Sequence, residues 1–153
     1  MKIEALDNEN VISYVKEDGV EEALVKSFIV CIKIEASRQD SGYFVKMVMK
    51  HNTQNQNESF ETYEDAEEFL FDICDAIGRE KFFYYENKYG NTTAIKKFEA
   101  VGMKIDKSHN GDGYVLISKF KDSTPTQPDF FDTIEDARDT RNGYYKSMHT
   151  QDH

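Results

Sequence analysis

Residues 32–44 read IKIEASRQDSGYF and residues 103–115 read MKIDKSHNGDGYV, and an ungapped shift of 71 positions lays one on the other. In both, apolar and charged residues alternate (Ile32-Lys33-Ile34-Glu35 and Met103-Lys104-Ile105-Asp106), the pattern of a half-buried strand. Asp40-Ser41-Gly42 and Asn110-Gly111-Asp112-Gly113 then predict hairpin turns, because Gly and Asn accept the positive φ that tight turns require. The return strands are residues 43–50 and 114–121, with Tyr43, Val45, Met47 and Met49 on one face of the first.

The same shift matches the chain in both directions from this hairpin. Upstream, Tyr14 meets Tyr85, Gly19 meets Gly90, Ala23 meets Ala94 and Lys26 meets Lys97. Downstream, loops starting at Lys50 and Lys121 share Thr53 with Thr124 and Gln56 with Gln127, and residues 60–66 then match residues 131–137. Self-similarity at one fixed period predicts a tandem duplication, with copies at 1–79 and 80–149 fused into one unit and a tail at 150–153.

Each copy opens with a short aromatic or β-branched strand, 11–16 and 82–86, ending at Gly19 and Gly90. Short helices are expected next, at 20–28 and 92–100, before the hairpin strands. Each copy closes on a longer helix. Thr62 and Thr133 stand at its N-cap, and Asp65 and Asp136 follow three residues on as a near capping box. Ala66, Phe69, Leu70, Ile73, Cys74 and Ile77 form the apolar stripe of the first long helix. In the second, Asn142-Gly143 predicts a stop, leaving Tyr144, Tyr145 and Met148 beyond it as a loosely packed end. The reading is an α+β fold built from a tandem β-α-β-β-α duplication. Residues 10–87 trace a ferredoxin-like order, with mainly antiparallel sheet and helices mostly on one face.

The 153 residues carry 19 Lys and Arg against 29 Asp and Glu, a formal charge of −10. That excludes a protein gripping nucleic-acid phosphates over its whole surface and suits neutral or basic partners. Cys31 and Cys74 form no CxxC pair and read as buried apolar side chains of a reduced, cytoplasmic protein. The first residues do not resemble a signal peptide, and no apolar run is long enough for a membrane helix.

Carboxylates concentrate off the apolar stripes. Glu64, Glu67, Glu68, Asp72 and Asp75 on the first long helix, and Glu135, Asp136 and Asp139 on the second, are the candidate partner-binding residues. Glu17, Asp18, Glu21 and Glu22 add a further acidic cluster. Acids spaced along helices stand in electrostatically for phosphates, so a basic protein groove, including one that holds nucleic acid, is the expected partner. Lys33, Lys46, Lys50, Lys104, Lys119 and Lys121 are expected on solvated sheet surface. His149 and His153 have helical spacing but no cysteine beside them and read as a frayed tail, while His51 and His109 fall in or near loops. No catalytic residue, metal site or cofactor is assigned.

Residues 90–103, Gly90-Asn91-Thr92-Thr93-Ala94-Ile95-Lys96-Lys97-Phe98-Glu99-Ala100-Val101-Gly102-Met103, resemble the late helix-to-strand segment of GNAT acyltransferases, N-x-x-A-I-x-x-Y-E-x-x-G-F. The resemblance implies, as the alternative, a degenerate acyltransferase fold that binds coenzyme A or is inactive. The family's proton-donating tyrosine falls at Phe98, which has no proton to give. The pyrophosphate loop Q-x-x-G-x-G/A is replaced by Asn57-Glu58-Ser59-Phe60-Glu61-Thr62, whose carboxylates repel that anion. The sequence therefore favours a non-enzymatic acidic inhibitor or regulator, in the style of a virus-encoded accessory protein, with no direct contact to nucleic acid or membrane.

Overall fold

Both glycine-bearing turns close hairpins, and they do so where only glycine fits. A Cβ on Gly113 would lie 2.5 Å from the Phe131 carbonyl oxygen, and one on Gly42 would lie 2.7 Å from that of Phe60. The computed structural model describes residues 3–5, 10–51 and 53–149. The first part of the chain forms β1 (Ile3–Ala5), β2 (Val11–Val15), β3 (Glu21–Val25), β4 (Ile29–Ala36), β5 (Tyr43–Met49), β6 (Gln56–Phe60) and α1 (Tyr63–Ile77). The second part forms β7 (Phe82–Glu86), β8 (Thr92–Lys96), β9 (Ala100–Lys107), β10 (Tyr114–Phe120), β11 (Gln127–Phe131) and α2 (Ile134–His149). From β2 onward, strand bounds recur at the 71-residue offset.

The fold is α+β with antiparallel pairings throughout the described strands. Two expectations are corrected. The helices expected at 20–28 and 92–100 are β3 and β8, with a single 3-10 turn at Lys26–Phe28. From β2 and from β7, each part thus runs five strands and then a helix instead of β-α-β-β-α, with β1 preceding them in the first part, and the ferredoxin-like order does not form. Gln56–Phe60 and Gln127–Phe131, within the stretches read as loops, are edge strands.

The strands make a five-stranded sheet in the order β6-β5-β4-β8-β7 and two three-stranded sheets, β1-β2-β3 and β11-β10-β9. The central seam joins β4 to β8, pairing Cys31 with Ile95, Ile32 with Ala94 and Lys33 with Thr93. Alternation along these strands feeds two cores. Ile32, Ile34 and Ala94 join Phe69, Leu70 and Ile73 of α1, whereas Cys31 and Ile95 join Leu116, Phe131 and Tyr144 of the second part. α1 therefore covers one face of the central sheet, while the core on the other face is shared with β10, β11 and α2, so the two helices do not lie on one face. Burial of each large apolar side chain contributes about 1.5–3 kcal/mol, so the seam is held on both sides.

Both long helices start as their sequences require. Thr62 Oγ1 accepts the Asp65 backbone N–H at 3.2 Å, and Thr133 Oγ1 accepts that of Asp136 at 3.1 Å. α2 does not stop at Asn142-Gly143. Gly143 lets the Phe83 ring approach to 3.4 Å from where a Cβ would stand, and the helix continues so that Tyr144 is buried. The Tyr144 hydroxyl donates to the carbonyls of Lys97, at 2.9 Å, and Ala100, at 3.2 Å. The expected tail at 150–153 lies outside the described residues. None of the described helices is long and apolar enough to cross a membrane.

Candidate functional site

Two clefts open at corresponding places in the two parts of the chain. The larger, about 1160 Å³, lies between the turn after β2, the hairpin turn before β5, and the first turns of α1. Eight carboxylates line it (Glu17, Asp18, Asp40, Glu58, Glu61, Asp65, Glu68 and Asp72) against one cation, Lys16. The smaller, about 400 Å³, is lined by Glu86, Asp132, Asp136 and Asp139 with Lys88. Lys88 Nζ stands 4.0 Å from Asp132, so one of those acids is paired.

The eight candidate acids separate on this geometry. Glu68 and Asp72 line the larger cleft, and Asp136 and Asp139 line the smaller. Glu64 and Glu135 are exposed outside both. Glu67 is half-buried and accepts from the Thr92 hydroxyl at 3.3 Å, which ties it to β8. Asp75 holds the Arg79 guanidinium through contacts of 2.5 and 3.1 Å.

Each part also holds a buried tyrosine–carboxylate pair absent from the candidate set. Tyr14 donates to Glu58 on β6, and Tyr85 donates to Asp129 on β11. Burial, reinforced by these carboxylates, pushes both phenols above their ordinary range. In the first part, Lys16 lies 3.2 Å from Glu58 and 3.4 Å from Glu22, and Gln56 donates to Glu58 at 2.7 Å. Its hydrogen bond to Glu58 holds the Lys16 ammonium above the usual lysine range.

In the second part Asn87 and Thr93 stand where Lys16 and Glu22 stood, and both donate to Asp129, at 3.4 and 3.2 Å. The balancing cation comes from across the seam. Lys33, only 3% exposed, reaches Asp129 at 3.3 Å and donates to the Pro128 carbonyl at 2.6 Å. This corrects the expectation that Lys33 is on solvated surface. The signal was present in the aligned copies, where acid meets acid at 58 and 129, between Gln56/Gln127 and Phe60/Phe131. Matches at every second residue are a strand signature, and Tyr14/Tyr85 supplies the partner.

Cys31 and Cys74 are buried free thiols, each pushed up to about 12 by burial, and neither offers a nucleophile. The segment resembling an acyltransferase helix is β8 and a turn into β9. Comparison with protein-family models, with curated proteins and with solved structures finds no match.

Proposed function

We propose that the chain is a non-enzymatic acidic binding protein whose carboxylate-lined clefts dock a basic protein surface and so inhibit or regulate that partner. The observation that carries this reading is the charge of the larger cleft, eight carboxylates against one lysine, in a volume of about 1160 Å³. Concentrating acids in a concave site focuses the field and raises the on-rate of a cationic partner. The site is wide enough for several lysine or arginine side chains. The second, smaller cleft repeats the start of the pattern and gives the partner a second foothold.

Capture from native cell extract at low and moderate salt tests the reading. Wild-type protein is expected to retain one stoichiometric basic protein, less of it as salt rises. Glu68→Lys with Asp72→Lys should abolish retention, whereas Glu64→Lys, outside the cleft, should not. Equal retention by the cleft variant would remove the cleft from the account.

A further inference from the structure

The seam between the two parts leaves each part with an unused half of the same joint. β4 is completed by β8, but β9, the counterpart of β4, is a sheet edge, and so is β3, the counterpart of β8. Positions sealed at the seam are open at these edges. Val30 is 1% exposed and its counterpart Val101 is 60% exposed; Ala94 is fully buried and its counterpart Ala23 is exposed. Every residue of β8 is buried, while β3 alternates between exposed and half-buried.

We infer that β9 of one molecule pairs antiparallel with β3 of a second copy, repeating between chains the seam that joins the two parts within one. Shifting the β4–β8 register by 71 residues sets Gly102 opposite Leu24, Met103 opposite Ala23 and Lys104 opposite Glu22. The last pair is a lysine facing a glutamate. Lys104, the counterpart of Lys33, then reaches toward Glu58, the counterpart of Asp129.

Charge at that point favours a second copy over an unrelated strand. Within the chain, Lys33 balances Asp129, with neutral Asn87 and Thr93 alongside. At the β3 end, Lys16 serves both Glu22 and Glu58, leaving one carboxylate in excess. Lys104, whose side chain is 56% exposed and 3.7 Å from Asp106, supplies the missing cation. Each chain carries −10, but at physiological ionic strength repulsion beyond about 8 Å is largely screened. Tyr145 must move aside, because its hydroxyl accepts the Met103 N–H at 3.3 Å, and that residue is the counterpart of Ile32 at the seam. It is exposed enough, at 43%, to rotate away. The contact joins unlike surfaces, so it builds open chains or a closed ring.

The inference does not rest on the basic partner and is tested without one. Light scattering on the purified full-length chain across a concentration series is expected to show mass rising in whole-chain steps. Lys104→Glu blocks one end and Ala23→Glu the other; each alone should weaken association at least tenfold. Mixed in equal amounts they should form one discrete dimer, since each retains the end the other lacks. Val101→Glu is a second block on the β9 end should Lys104→Glu disturb folding, and Tyr145→Phe should strengthen association. A wild type that stays monomeric to millimolar concentration, or blocked variants that do not complement each other, would overturn it.

Discussion

Neutralising the buried acid of each tyrosine pair separates the two halves of the molecule sharply. Asp129→Asn keeps an acceptor for Tyr85 but removes the carboxylate that pairs with Lys33, which is buried at the seam and also donates to the Pro128 carbonyl. Breaking a buried ion pair from one side costs about 3–5 kcal/mol, because the other charge is stranded. Glu58→Gln is the same change 71 residues earlier, but its Lys16 is partly solvated and keeps Glu22 at 3.4 Å. The expected cost there is about 1 kcal/mol. Urea unfolding at pH 7 reads both losses, and in melting the first variant should fall by roughly 6–20 °C. Lys33→Met in the Asp129→Asn background removes the stranded charge and should restore most of the loss. Equal losses for the two neutralised acids, or no recovery in the double variant, would refute the assignment of Lys33 as the seam's buried cation.

Three further outcomes follow from particular side chains. Burial lowers Lys96 to about 8, below its ordinary 10.5, so between these values the unfolded chain binds more protons and stability rises with pH. After allowing for solvent at the side chain the rise is about 1–2 kcal/mol. Lys96→Met should flatten it, while above about pH 10 the raised tyrosines Tyr14 and Tyr85 turn the trend downward. Gly113→Ala should destabilise more than Gly42→Ala, because Gly113 adds a φ of +76° to a similar backbone clash, and paired melting curves measure the difference. Cys31 and Cys74 should react with a thiol reagent only on unfolding; a reactive thiol in the native protein would contradict their burial.

The hairpins, both helix caps and the α1 stripe were legible because local chemistry alone decides them. Residues 20–28 were not. Val20-Glu21-Glu22-Ala23-Leu24 is composed of good helix formers apart from Val20, and only the counterpart Thr92-Thr93-Ala94-Ile95 speaks for a strand. Tertiary pairing decided for the strand, as β8 had to seal β4. α2 continued through Asn142-Gly143 because Phe83 fills the space above the glycine, a contact no local pattern encodes. The helix acids were legible as a charged surface, but which of them share a cleft depends on β2, β5 and β6 being folded beside α1. Lys33 was misplaced for a similar reason. Alternation assigned it a face of β4, and only the second part of the chain shows that face to be covered.

The most direct test of the acidic-cleft account is a calorimetric titration with an arginine-rich peptide at 50 and 300 mM salt, run on wild type and on Glu68→Lys/Asp72→Lys. The account predicts saturable binding that weakens at least tenfold at the higher salt and is lost in the variant. Binding of equal strength to both proteins would place the peptide elsewhere on the acidic surface and contradict it.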